Sequence, residues 1–493
     1  MSDDEEGFRS KLKVLREMRN YTVVWSGQVA SLIGSGMTFF ALMVLIFEDT
    51  GQVTSVSLLF FAAFGPSIIL APIAGVIIDR YNRKWIMGIS DAIAAVSTVG
   101  IMVLYMTDNL EFGYVLVLVA FGDVFRAFQF PAFSASTTLM VPKKHYGRAG
   151  GMLALGWSIS EMAAPILGAL LLGYVGLGGV LVVDIMTFFV AIGTLLIVPI
   201  PEPKRNKEGT DAQASWWSDL TFGFRYIGDR KRNGLKGLLL VFFISNFVGM
   251  MAWIVMQPLI LTKTGNDEVI LGTVMLFGGV GGLVGGAVVS IWGGFKRRIK
   301  GLILGLIISN IGFLVLGLDG WVPSWILGVF IMLLLGPLVF GASQAIWQSK
   351  VPPDLQGRVF SVRAFVALVG EGPAVILAGP LADNVFEPFM MDATGPLEVL
   401  FGSGPGAGMG LMIFIIGLIG MFIGGVAYFV KVIRNVEDDI PDHGIDSETV
   451  DDTSEEAPEE GTGEADEPGG PAEEGPDETG RELDVPLGDD DVH

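Results

Sequence analysis

Apolar segments long enough to cross a bilayer constrain this chain more than any other feature. A hydrocarbon core about 30 Å thick needs roughly 20 helical residues at 1.5 Å each. Twelve runs of that order stand between polar breaks, at 21–47, 55–78, 85–106, 113–139, 151–174, 178–198, 237–261, 269–292, 300–318, 322–347, 359–382 and 407–430. Lipid offers no hydrogen bonds to a bare backbone, so such runs read as helices. The pair 151–174 and 178–198 is parted only by a turn around Gly176, Gly178 and Gly179. The first run is too long for the apolar core of a cleavable leader and follows Arg9, Lys11, Lys13, Arg16 and Arg19, so no secretory leader is expected.

Charge separates the chain into two regimes. Only 17% of residues are charged, against about a quarter in soluble domains. The net charge of −21 is a property of the end: residues 435–493 hold 24 of the 52 acids and one of the 31 Lys and Arg, leaving 28 acids and 30 bases before them. That acidic, Pro- and Gly-rich stretch cannot bury enough apolar surface to offset the entropy of ordering and is expected to be disordered, although its start, marked by Lys431 and Arg434, has reason to be held at the membrane. With the N-terminus inside, 29 of the 31 bases fall on cytoplasmic segments, Arg363 included, the exceptions being Arg126 within the fourth run and Lys263 outside. This bias predicts a multi-pass plasma-membrane protein with both termini cytoplasmic.

Several chemistries are excluded. There is no Cys, so no disulfide or thiol nucleophile; the three His, at 145, 443 and 493, lie too far apart to suggest a metal site; and no Gly-Lys dipeptide offers a P-loop. No enzyme, cofactor or nucleic-acid partner is expected. His145, in a basic loop, reads as solvated.

The longest internal polar stretch divides the runs six and six, giving five regions: 1–20 cytoplasmic, 21–198 a first bundle, 199–236 a linker, 237–430 a second bundle and 431–493 the acidic tail. The linker's Trp216, Trp217, Phe222, Phe224 and Tyr226 lie among basic residues near helical spacing, which suits a short helix at the headgroup boundary. The halves repeat: Val141, Pro142, Gly147, Arg148 and Glu161 return as Val351, Pro352, Gly357, Arg358 and Glu371, a constant offset of 210. Gly278, Gly282 and Gly286 recur every four residues, a stripe for close helix packing.

These features resemble the major facilitator transporters. Gly75-Val-Ile-Ile-Asp79-Arg80-Tyr-Asn-Arg83-Lys84 is similar at every fixed position to that family's loop 2–3 signature, Gly-x-x-x-Asp-Arg-x-x-Arg-Lys; the second half, at Gly286 to Ser290, lacks the acid. Arg126-Ala-Phe-Gln129 resembles the helix 4 motif of proton-coupled members, with Phe130 in place of the usual Gly, and Ala164-Pro165 with Gly168-Ala169 resembles a degraded antiporter motif. The strings Tyr21 to Ile33, Gly357 to Ser361, Ala378 to Asp383 and Val436 to Asp442 resemble the macrolide-efflux and enterobactin-exporter branch. The resemblance implies an all-α fold of twelve transmembrane helices in two six-helix bundles with a substrate site between them, and proton-driven export of bulky amphipathic molecules by a monomer.

Candidate residues follow. A lone mid-membrane Arg is costly unless it faces a cavity and finds a partner, so Arg126, with Asp123 on the same helical face, and the mid-helix carboxylates Glu161 and Glu371 are the candidates for proton coupling. Asp91, Asp184 and Asp383 read as structural. The helices that line the family's central cavity offer Phe39, Gln129, Phe130, Phe243, Asn246, Met250, Gln257 and Gln344 for substrate. A proton-coupled importer shares the fold, and a non-transporting scaffold working through the acidic tail is the reading of a different class. The resemblance assigns Gly75, Asp79, Arg80, Arg83 and Lys84 to gating, with Asp79 facing the N-terminus of the eleventh helix, where the helix dipole favours a carboxylate. Asp79→Asn keeps the shape and removes the charge, so it is expected to shift the population toward cytoplasm-open forms without unfolding. Cysteine pairs placed across the cytoplasmic mouth measure this, and equal cross-linking with and without the substitution would rule out the latch.

Overall fold

The computed structural model describes residues 17–200 and 216–442. Among the described residues the chain is helical, without a strand. The first half consists of α1 (Arg19–Thr50), α2 (Val53–Arg80), α3 (Arg83–Met106), α4 (Phe112–Met140) and a 52-residue helical stretch, Tyr146–Ile197. Straight, that stretch would reach about 78 Å, more than twice a bilayer core. It is broken at Gly176, whose φ of 73° and ψ of 179° lie in a region open essentially to glycine alone. The limb before the break, α5 (146–175), runs parallel to α1: Tyr21 Oη donates to the carbonyl of Ala149 at 2.9 Å and Trp25 Nε1 to that of Met152 at 2.8 Å, while Gly168 meets Met37 and Phe40. The limb after it, α6 (177–197), runs the other way, with Asp184 and Thr187 against Gly34 and Thr194 against Gly27. The chain therefore doubles back at one glycine, and among the described residues eleven long apolar helices make twelve crossings.

The second half follows α7 (Trp216–Gly228) with α8 (Asn233–Thr264), α9 (Glu268–Trp292), α10 (Arg298–Gly317), α11 (Val322–Leu334), α12 (Gly336–Lys350), α13 (Pro353–Leu381), α14 (Glu387–Met391), α15 (Pro396–Phe401) and α16 (Ala407–Phe429). α11 and α12 share one crossing, and α13 passes through a π-turn at Ala382–Phe386, just after Pro380, into α14. The sequence repeat has a structural counterpart. Val141 and Val351, each before a proline, end α4 and α12 in extended conformation, with φ of −117° and −114°. Proline excludes the helical region for the residue before it, so both halves stop a helix by one device. The linker helix α7 packs on α13, its Gly223 against the backbone of Arg358 and its Phe224 ring edge-on to Phe365 at 6.2 Å.

Helix order puts the turns after α1, α3, α5, α8, α10 and α13 at one end, the far end; residues 19, 197, 233 and 429 lie at the other, the terminal end. The apolar core shows how the halves meet. Toward the far end one continuous cluster joins them, from Phe40, Phe47 and Leu59 through Ala169 to Val255, Leu271 and Ala378. Toward the terminal end the core is split in two, with Tyr21, Met87, Phe133 and Leu195 in one half and Leu235, Ile303, Trp347 and Val362 in the other. Among the described residues, the apolar core is thus shared by the halves at the far end and separate in each at the terminal end. Many apolar side chains point outward, among them Phe189, Ile291 and Phe422, a surface suited to lipid.

Glycine packing on α9 departs from the expected register. Gly278, Gly281 and Gly285 abut α11 and the turn after it, whereas Gly282 and Gly286 stand off from it, because successive contacts alternate between three and four residues on a helix of 3.6 per turn.

Two features stand out at the terminal end, a histidine that the sequence misjudged and a tail whose start is held on protein. His145 is not solvated: it is 7% exposed, and its Nε2 lies 2.8 Å from Glu17, which also pairs with Lys144 at 2.7 Å. The hydrogen bond from Lys144, and then that from His145, hold the Glu17 carboxyl below its ordinary range. The start of the acidic tail is docked on the second half. Glu437 caps the N-terminus of α10, its carboxylate accepting from the amides of Arg298 at 3.2 Å and Ile299 at 2.9 Å. The buried Lys350 ammonium donates to the carbonyls of Glu437 and Ile440 and pairs with Asp442 at 2.9 Å. Beyond Asp442, the expectation of disorder lies outside the described residues.

The hydrogen bond from Lys350 is also what lowers the Asp442 carboxyl from its usual range. A depressed carboxylate supports the docked form above its unfolded pKa and loses that support as pH falls through the folded one. Residues 431–442 are therefore expected to become protease-sensitive below about pH 3.9, the ordinary Asp value, and in Lys350→Met at neutral pH. Protection that survives both changes would show that the salt link does not hold the segment.

Candidate functional site

Halfway along α4, Arg126 meets the membrane interior. Its side chain is exposed and lines three adjoining cavities. It forms no ion pair among the described residues, Asp123 included, although its charge attracts Asp91, Asp123 and Asp184 together. Each acid is held by other donors. Asp123, 4% exposed, accepts from the amide of Ser67 on α2 at 2.9 Å. Asp91 on α3, 1% exposed, accepts from Gln28 Nε2 at 2.9 Å and from Gln129 Nε2, which also reaches Gln28 Oε1 at 2.7 Å. Asp184 on α6, 1% exposed, takes the hydroxyls of Thr38 at 2.8 Å, Thr98 at 3.1 Å and Ser35 at 3.3 Å. Buried carboxylates without such donors would cost several kcal/mol.

The sequence assigned Asp91 and Asp184 to structure. With Asp123 they are the acids on which the charge of Arg126 acts, because α3 and α6 pack beside α4 and α1. A signal existed: Gln28, Ser31, Ser35 and Thr38 recur along the first apolar run at one-face spacing, a polar stripe on an otherwise apolar helix.

The largest of the three cavities, ≈ 560 Å³, lies between the halves at mid-depth. Phe39, Phe40, Phe64, Trp157 and Glu161 line it from one side, and Trp253, Gln257 and Leu333 from the other. Glu161 is exposed to it; its repeat mate Glu371, half-buried on α13, is not among its lining residues. Phe130 stands edge-on to Trp157 at 5.7 Å in the smaller cavity beside Gln28 and Gln129. The remaining substrate candidates scatter. Phe243 packs on Gly370, Met250 packs against the joined core, and Asn246 lines a separate cavity of ≈ 250 Å³ within the second half, its Nδ2 donating to Phe242 at 2.7 Å. Gln344 accepts from Arg363 at 2.9 Å.

Arg363, counted in the sequence among the terminal-end cations, is 7% exposed and lies over Trp347 at 5.1 Å and Phe242 at 5.4 Å. Of the gating candidates, Arg83 donates to the carbonyl of Ala135 at 2.8 Å and Lys84 to that of Val198 at 2.9 Å, both inside the first half, where Lys84 answers the carbonyl end of α6. The side chains of Gly75, Asp79 and Arg80 lie outside the described ones.

Two six-helix halves around a mid-depth cavity, with a cation in its wall, accord with the comparisons. The family model of the Major Facilitator Superfamily matches residues 24–375. The chain belongs to that superfamily. It is 28% identical over 373 residues to macrolide efflux protein A of Streptococcus pyogenes, covering 75% of this chain and 90% of that protein. With the enterobactin exporter EntS of Shigella flexneri it shares 21% identity over 416 residues, 83% of this chain and 93% of the other. A bacterial homolog of the human lysosomal transporter Spinster has the same fold, with a TM-score of 0.61 at 17% identity over 86% of this chain and 98% of that one. The protein is thus a multi-pass membrane transporter of small molecules, not an enzyme.

Arg126→Gln or Arg126→Ala is expected to leave membrane expression largely intact and bring gradient-driven transport to background. Lys at this position is expected to restore only part, since a compact, more strongly hydrated ammonium keeps the charge but not the planar spread of donors of a guanidinium. Wild-type rates in both neutral variants would remove Arg126 from the mechanism.

Proposed function

We propose that this transporter exports bulky amphipathic molecules, macrolide-like in chemistry, by proton antiport with alternating access, acting as a monomer. The observation that carries the reading is the inter-half cavity: ≈ 560 Å³ of aromatic and aliphatic wall with Arg126 and Glu161 facing it. Drug-sized ligands bury themselves in pockets of about 300–1,000 Å³ with few polar groups. Aromatic and aliphatic faces tolerate varied shapes, and Gln257 and Ser160 supply sparse hydrogen bonds. The names of the relatives, an efflux protein for macrolides and an exporter of enterobactin, support outward transport and large cargo.

Orientation follows from the positive-inside bias, which assigns the terminal end to the cytoplasm. On this reading, the end where the apolar core is split faces the cell interior, the side from which an exporter loads. Protons would enter from outside onto carboxylates near the cavity, Glu161 and the acids around Arg126, and cargo leaving the site would compete with them for the guanidinium. The C-half candidates Asn246, Gln344 and Glu371 would take part only in another state of the cycle.

The test is uptake into inverted membrane vesicles. A fluorescent macrolide is expected to accumulate when an inside-acid gradient is imposed, and an uncoupler should abolish the uptake. Efflux from preloaded inverted vesicles under the same gradient would show the importer, and gradient-independent uptake would remove proton coupling.

A further inference from the structure

Asp383, at the far-end turn of α13, joins the two halves. Its Oδ1 accepts from the amide of Val53 at 3.0 Å, and its Oδ2 from the amide of Thr54 at 2.7 Å and the hydroxyl of Thr54 at 2.6 Å. Val53 begins α2, and Gln52, in the capping position, makes no side-chain cap bond of its own. The carboxylate of one half thus caps a helix of the other. The first amides of a helix have no intrahelical acceptor and carry the positive end of the dipole, so a carboxylate there is doubly favoured. At the far end, among the described residues, the hydrogen bonds between the halves all end on this side chain.

The backbone is shaped for this contact. Gly379, one turn before Asp383, lies against the Thr54 backbone and Ser57 so closely that a methyl group would not fit. The π-turn at Ala382–Phe386 widens α13 where the acid reaches across. The same spacing occurs once more on this pair of helices. Gly379-Pro-Leu-Ala-Asp383 ends α13 at the far end, and Gly75-Val-Ile-Ile-Asp79 ends α2 at the terminal end. The two helices run antiparallel, so the two Gly-x-x-x-Asp segments end them at opposite membrane faces; of the two acids, Asp383 is the one whose side chain is described, and it caps the other helix.

We infer that Asp383 is the outer latch of the transport cycle, closing the far end by capping α2 and releasing it when that end opens, as the reciprocal partner of Asp79 at the cytoplasmic mouth. The inference rests on the alternating-access reading above. Rocking about mid-depth cannot satisfy both ends at once: among the described residues the apolar core is joined at the far end and split at the terminal end. One helix pair would then carry both latches, used in alternation. The acid that the second half lacks in its own loop at Gly286 to Ser290 is supplied by α13 on the other side of the membrane.

The test uses the full chain, which has no native cysteine. Gln52→Cys and Asn384→Cys, both exposed and adjacent to the contact, form the reporter pair. In membranes without cargo or gradient, the pair is expected to cross-link readily. Asp383→Ala should reduce the yield roughly fivefold, the equilibrium change that loss of a helix cap produces. Asp383→Asn, which keeps a capping oxygen but loses the charge, should fall between. Thr54→Val, removing one of three bonds, and Gly379→Ala, forcing the backbones apart, should each lower the yield even if Asp383→Ala does not reach the membrane. Unchanged yield in whichever of these variants are expressed overturns the latch. Cross-linking needs neither substrate nor protons, so failed macrolide uptake with an intact cross-linking response would reject the export reading and leave the latch standing.

Discussion

A guanidinium in the middle of a membrane-spanning helix cannot be left to lipid, and the first half is arranged around that requirement. Arg126 is given a cavity for water or cargo and the field of three carboxylates; Asp91 and Asp184 have donors on both oxygens, and Asp123 on one, its buried Oδ1 being left without a partner. The arrangement leaves the cation without a fixed partner among the described residues. A tight ion pair would fix helix packing and do nothing more. A cation surrounded by acids that are already hydrogen-bonded remains free to exchange its attention among them, cargo and protons.

The polar groups of α1, α3, α4 and α6 therefore form one network, and the apolar surface is sorted around it. Among the described residues, the apolar core shared by the two halves lies toward the far end, and toward the terminal end each half has its own. Apolar packing between the halves has no direction of its own and lets them roll. The directional bonds at their far-end boundary are concentrated at Asp383.

What the sequence revealed and what it hid follow from range. The apolar runs, the break at Gly176 and the repeat of Val141-Pro142 at Val351-Pro352 are local signals, and they yield the crossings and their division into halves. Depth was legible as well, since Arg126 and Glu161 were placed near the middle of their helices by counting. Azimuth was not. Glu161 and Glu371 are equivalent by repeat and depth, yet one lines the central cavity and the other does not, because a repeat offset carries no information about which face a neighbouring helix covers. His145 was misjudged because its partner, Glu17, lies 128 residues away. Arg363 was misjudged because aromatic rings, which hold a cation without a countercharge, leave no acidic mark in the sequence.

The reversal at Gly176 has a mechanical meaning. A long loop between α5 and α6 would let one slide while the other stayed, but a turn of a single residue transmits displacement without slack. Both limbs grip α1 along opposite directions, so pulling on either presses the other against the same shaft. The first half is thereby braced like a truss, and a force applied at the wall that carries Glu161 is delivered to the helix that carries Asp184.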